Sequence, residues 1–239
     1  LHCLGGETLL IPAFKKILQA LVDAGLNKDA IIGFTTNLTV WPQEVIDVLK
    51  NFSHVHVGVS IETLNTVNDY IRWPSKITEV KENLVKFIAL ANDKDWFTSL
   101  RVTPNLFSVY YIDALYEFAF ENSVGVESCN FIHRPSFLKI DLLPINMRKV
   151  IIEKLQALLN KYTNDQHQEK IINVRQKKVV GQTLITDIQS MISYLQKVGV
   201  CDIEYKNLLN FIKTIEQNRG NSIIEHAPEY EKFLRDIGY

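Results

Sequence analysis

Cysteine is scarce in this 239-residue chain, and the three present, Cys3, Cys129 and Cys201, are odd in number and far apart. That pattern suggests neither a disulfide framework nor a zinc knuckle, and it predicts buried free thiols. An excess of one charge is also missing. With 26 basic against 27 acidic side chains and a formal net charge of −1, nothing in the balance favours a polyanion, so a nucleic-acid partner is unsupported. No run approaches the roughly 18 consecutive apolar residues of a membrane span, and no charged-then-apolar leader opens the sequence. The expectation is a cytoplasmic protein with no membrane partner, in which Asn37-Leu38-Thr39 and Asn51-Phe52-Ser53 are chance matches to the glycosylation triplet. Repeats, low-complexity tracts and Gly/Ser-rich linkers are likewise absent.

What is there is a regular alternation. Leu1 to Leu4 reads as the end of a strand, and Ile11 to Ala24 as an amphipathic helix stopped by Gly25. Ala30 to Asn37 reads as a strand and Pro42 to Phe52 as a helix with proline in its first turn. The scheme continues with a strand from His54 to Glu62, a helix from Ile77 to Asn92 and a strand from Phe97 to Thr103. A helix from Tyr110 to Asn122 and a strand from Val126 to Ile132 complete five strands. Strands alternating with helices predict an α/β fold of parallel strands joined by right-handed crossovers. After Pro144 the strand signal stops, and helical runs follow near Asn146 to Tyr162, Thr186 to Lys197 and Asp202 to Arg219. Residues 1–144 are therefore expected to form the α/β core and residues 145–239 a helical extension packed on it, with 163–183 as an excursion.

Alternate residues of a strand share a face. From His54 the odd set, Val55, Val57, Val59 and Ile61, is wholly apolar, while the even set is His54, His56, Gly58, Ser60 and Glu62. A parallel strand covered on both sides is apolar throughout, so a polar inner face predicts a lumen that holds something polar. Ser99, Arg101, Thr103 and Asn105 share a face of the next strand, and Thr35 and Asn37 end an earlier one. Asn37, Glu62, Asn105 and His133 all fall at or beyond strand C-terminal ends, where α/β folds place ligands. Individually, such residues also cap helices or satisfy one another. Gly5-Gly6-Glu7 follows the first strand remnant: the glycines allow positive φ and close approach of backbone N–H groups, and Glu7 offers a carboxylate to an amine. The same triplet also suits an ordinary strand-to-helix turn.

Taken in order, Gly5-Gly6-Glu7-Thr8-Leu9-Leu10, Thr35-Thr36-Asn37 and Val59-Ser60-Ile61-Glu62 resemble successive strand-end motifs of the radical S-adenosylmethionine superfamily. The resemblance implies a partial (β/α) barrel lacking its first β/α unit. Gly5, Gly6 and Glu7 resemble the GGE motif that binds the methionine amine, although Thr8 stands where the family usually has proline. Ser60 and Glu62 resemble the contacts to ribose or carboxylate, Asn37 would line the site, and Arg101 and Asn105 lie where further carboxylate and adenosine contacts fall. His133 and Arg134 are candidates for substrate contact. Asn68 to Arg72, His133 to Pro144 and Arg219 to Tyr230 extend the likeness, the last towards members with a twitch-type extension. With Cys201 the one cysteine of the tail, no auxiliary cluster is expected.

The main departure is the CxxxCxxC loop that holds the family's 4Fe-4S cluster, which these 239 residues do not contain. Because the chain starts at Leu1 within an apolar run, the expectation is truncation, with the cluster cysteines upstream of Leu1. The cofactors implied are S-adenosylmethionine and a 4Fe-4S cluster. The partners implied are an unidentified small-molecule or peptide substrate and, for a full-length enzyme, an electron donor such as flavodoxin or ferredoxin. Its reaction would be reductive cleavage of S-adenosylmethionine to a 5'-deoxyadenosyl radical that abstracts hydrogen. Two alternatives stay open: a noncatalytic ligand-binding module, and a barrel hydrolase with a metal on His54, His56 and Glu62.

Overall fold

The computed structural model describes residues 1–128, 130–163, 175–197, 199 and 204–239, without the side chains of 175–182. Cys129, Cys201 and most of the expected excursion at 163–183 lie outside that description, while 175–183 are helical. Cys3 is a half-buried free thiol.

Five strands, β1 (His2–Cys3), β2 (Ile31–Thr36), β3 (His54–Ser60), β4 (Phe97–Arg101) and β5 (Gly125–Glu127), lie side by side in chain order, all parallel. When each crossover returns to the adjacent strand with the same hand, the helices collect on one face of the sheet and leave the other free to become a lumen. The result is an arc of a (β/α) barrel. Burial separates the two faces as the alternation in β3 requires: Val55, Val57, Val59 and Ile61 are buried, whereas His54 and His56 are exposed.

The crossover helices are α1 (Pro12–Asp23), α2 (Gln43–Leu49), the one-turn α3 (Val67–Ile71) with the long α4 (Ile77–Lys94), and α5 (Ile112–Asn122). Phe14 of α1 and Phe87 of α4 both meet Phe34 of β2, at ring-centroid distances of 5.2 and 6.5 Å. Phe87 then reaches Trp96, whose indole N–H donates to the Phe52 carbonyl at 3.1 Å. This aromatic chain forms the core beneath the sheet. Gly25, at φ +71°, ends α1 as expected, but Pro42 precedes α2 instead of opening it, in extended conformation.

β5 is much shorter than the Val126–Ile132 strand the sequence predicts. The ladder continues through Val102 N–H to Glu127 O at 3.1 Å, and the next residue in β4's path that could donate is Pro104, which has no N–H. Ile132 instead donates to the Pro104 carbonyl at 3.3 Å. Pairing therefore stops, and residues 130–135 become a loop over the strand ends.

The C-terminal helices are α6 (Ile145–Thr163), α7 (Arg175–Lys197), α8 (Tyr205–Arg219), α9 (Ile223–His226) and α10 (Glu231–Asp236). Helix α7 begins eleven residues before the expected Thr186, and the short α9 and α10 carry no strong periodic signal. A full capping box, Ser222 with Glu225, starts α9. Apolar faces of the tail rest on the sheet and its helices: Tyr162 stacks on Phe120 at 4.1 Å and Tyr194 on Phe131 at 4.3 Å. The fully buried Tyr230 hydroxyl donates to the Leu106 carbonyl at 2.5 Å. Among the described residues, no helix is long and apolar enough to cross a membrane.

Candidate functional site at the strand ends

Gly5 and Gly6 take φ values of +94° and +61°, a conformation that side-chain-bearing residues rarely adopt, and the turn they make aims Glu7 at the end of β2. There one carboxylate oxygen accepts from the Thr36 hydroxyl at 2.6 Å and from Leu9 N–H at 3.2 Å; the other accepts from Asn37 N–H at 2.7 Å. A carboxylate has about four acceptor positions. Three of those on Glu7 hold the loop together, which leaves one on the oxygen bonded to Asn37 for a donor from a ligand. The Asn37 side-chain oxygen is committed to the backbone N–H and hydroxyl of Thr39, at 3.0 and 2.7 Å.

On the open face of the sheet the register sets Thr35 beside Gly58 and Gly58 beside Ser99, with Ser60 beside Arg101 and Arg101 beside Glu127 in the next row. The Arg101 side chain lies across Gly58, where a Cβ would come within 2.9 Å of the guanidinium carbon. Gly58 is thus the space the arginine occupies. Arg101 donates to the Thr35 hydroxyl at 2.7 Å and stands 3.1 Å from the Glu127 carboxylate, which also accepts from the Ser99 hydroxyl at 2.6 Å. Sequence alone does not single out Glu127, because its place across from Arg101 is set by the register of β4 and β5. Ser60 is half-buried at the edge of this cluster.

Glu62 has a different fate. It is 5% exposed; one oxygen accepts from Arg72 Nη2 at 2.7 Å and the other from Thr103 N–H at 3.0 Å. Burial pushes its carboxyl up from the ordinary range, against the pull of the Arg72 guanidinium and the two hydrogen bonds. Its backbone N–H is held by Asn68 Oδ1 at 2.9 Å. Asn105 is similarly engaged: its oxygen accepts from Phe107 and Ser108 N–H at 3.0 and 3.2 Å, and its nitrogen donates to the Thr103 carbonyl at 3.1 Å. It shapes the loop after β4. His133 and Arg134 are exposed on the loop after β5.

Strand geometry separates the ligands of a barrel-hydrolase metal site. His54 and His56 are exposed near the start of β3, whereas Glu62 lies beyond its end and is bound by Arg72. Among the described residues, no three His, Cys, Asp or Glu side chains gather closely enough to hold a metal ion.

Between the strand-end loops and α8 lies a cavity of about 370 Å³. Glu62, Thr103 and Asn105 reach it from the sheet, Tyr70 from α3, and Phe211, Ile215 and Arg219 from the tail. Arg219 donates to the Tyr70 carbonyl at 2.7 Å and lies over Trp73, 5.4 Å from the ring centroid. The Tyr70 hydroxyl is buried without a hydrogen-bond partner, and burial raises it well above the usual phenol range. The cavity depends on contacts between residues some 150 positions apart, which no local pattern announces.

No protein-family model matches the chain, and no curated protein matches it. Among solved structures, Streptococcus suis SuiB bound to S-adenosylmethionine aligns with 71% of this chain at 18% identity and a TM-score of 0.44. SuiB bound to the precursor peptide SuiA aligns with 70% at 18% identity and a TM-score of 0.43. The chain spans 37% and 35% of the length of those two chains.

Proposed function

We propose that this chain is the S-adenosylmethionine-holding part of a radical S-adenosylmethionine enzyme. The observation that carries the reading is a polar patch on the open face of the sheet, at the strand ends. The remaining acceptor of Glu7, the Ser60 hydroxyl and the Thr35–Arg101–Glu127 cluster lie towards the C-terminal ends of adjoining parallel strands. Parallel α/β sheets place ligands at that end. The motif resemblance gives the order in which these groups occur.

In this reading Glu7 accepts from the ligand's ammonium group, on the carboxylate position its own loop leaves open. Arg101, fixed in orientation by Thr35 and Glu127, meets a carboxylate or ribose oxygen, and Ser60 donates beside it. Because the Arg101 side chain fills the space over Gly58, a ring system would lie beyond it, beside Ser60. Bound S-adenosylmethionine would supply a 5'-deoxyadenosyl radical once reduced by a 4Fe-4S cluster. The 239 residues contain no three-cysteine loop to hold such a cluster, so no electron-transfer step is assigned to them. Glu62 and Asn105, bound by their own loops, serve here as positioning residues. A noncatalytic binding module would use the same surface.

Calorimetric titration with S-adenosylmethionine tests the reading. The expected result is a single saturable site, weakened at least tenfold by Arg101→Met and by Glu7→Ala. An absence of saturable binding, or variants that bind as the parent does, would contradict it.

A further inference from the structure

We propose that the cavity beneath α8 is a second ligand site, and that it takes a compact apolar group bearing a carboxylate. Its walls include the side chains of Ile71, Phe107, Ile132, Leu138, Phe211 and Ile215. At about 370 Å³ it falls at the small end of the range for small-molecule sites, which are mostly apolar with a few placed polar groups.

Charge decides the class of ligand. A carboxyl group and a guanidinium line the cavity walls, and they differ in what satisfies them. Both oxygens of Glu62 are taken, one by Arg72 and one by Thr103 N–H, so the negative charge is already neutralised. The Arg219 guanidinium has no carboxylate within ion-pair distance among the described residues. Glu216, one turn earlier on α8, is turned away, accepting from Ile223 N–H at 2.6 Å and from the Tyr239 hydroxyl at 2.9 Å. One nitrogen of Arg219 is fixed on the Tyr70 carbonyl and the guanidinium lies over the Trp73 ring, which orients the fork while leaving further N–H donors available. A fixed, unpaired guanidinium at the wall of an apolar cavity is matched by one carboxylate on an apolar body. A phosphate would bring more charge and hydration than these walls accommodate.

The carboxylate could belong to a free acid or to the C-terminal residue of a peptide. Binding at this site is independent of the cofactor reading.

The test is a titration of the chain, without S-adenosylmethionine, with 3-phenylpropionate, its amide 3-phenylpropionamide, and N-acetylphenylalanine. The acid should bind saturably and at least tenfold more tightly than the amide. Arg219→Met should remove that preference, and Ile215→Trp, which fills the cavity, should abolish binding of both. Tighter binding of N-acetylphenylalanine than of 3-phenylpropionate would point to a peptide end, and weaker binding to a free acid. Arg101→Met should leave all of these affinities unchanged, which separates this site from the one on the sheet. Equal affinity for acid and amide in the parent chain, a comparison that needs no variant to fold, would overturn the proposal. So would an acid affinity indifferent to Arg219→Met in a variant whose melting temperature is retained.

Discussion

Two of the carboxylates at strand ends of this molecule, Glu7 and Glu62, are employed differently. Glu7, after β1, is half-buried and held by three neutral donors, the Thr36 hydroxyl and the N–H groups of Leu9 and Asn37. Glu62, after β3, is buried and held by the Arg72 guanidinium and Thr103 N–H. Neutral donors hold a carboxylate without cancelling its charge. An arginine cancels it, and at 5% exposure little of Glu62 remains for anything else. Of two acidic residues at equivalent places in a barrel, the first is thus suited to receiving a ligand cation and the second to fixing a loop.

That contrast can be broken by mutation. The largest effect is expected for Glu62→Ala, which leaves the Arg72 charge and the Thr103 N–H without an acceptor. A loss of about 3 kcal/mol in urea-unfolding free energy is expected, at the lower end for broken buried pairs because Arg72 keeps 30% side-chain exposure. Glu7→Ala orphans three donors that water can partly reach, and should cost about 2 kcal/mol. Thr36→Val removes one buried hydroxyl that both donates to Glu7 and accepts from Leu38 N–H, a loss of about 1 kcal/mol. Lys15→Ala, which removes the exposed pair with Glu44, should cost no more than about 0.5 kcal/mol and serves as the reference. A Glu7→Ala cost exceeding that of Glu62→Ala would reverse the assignment of the two roles.

The pH dependence sharpens the same comparison. Burial raises the Glu62 carboxyl above its ordinary value, so the folded chain holds that proton more tightly than the unfolded chain does. Its contribution is therefore fully present below the unfolded pKa and is lost as pH rises through the folded value. In Glu62→Gln this segment of the stability profile should flatten: the parent loses stability relative to the variant as pH climbs out of the ordinary carboxylate range. Parallel profiles would show that Glu62 is not desolvated as described.

Much of the architecture was legible because it is written locally. The alternation of His54 through Glu62 gave the two faces of β3, and Gly5-Gly6-Glu7 gave a turn whose glycines do take positive φ. What depends on a distant partner is not legible in the sequence. The sequence shows Val126 to Ile132 as strand-like, but β5 pairs only as far as Pro104 permits. Ser60 and Arg101 fall on the open face as alternation requires, yet nothing near Glu62 in sequence says that Arg72 will fold back from the end of α3 to neutralise it. Glu127 falls within the strand-like run from Val126 to Ile132, but its pairing with Arg101 depends on the register of two strands, which no local pattern gives. The cavity under α8 lay beyond reach, since Arg219 meets Tyr70 only through the packing of the tail.

The most direct test of the central claim is a structure of the chain soaked with S-adenosylmethionine. Density is expected along the open face beside Ser60 and the Arg101 side chain, with the methionine amine against Glu7 and a carboxylate or ribose oxygen at Arg101. Density confined to the cavity under α8, or none at a saturating concentration, would contradict it.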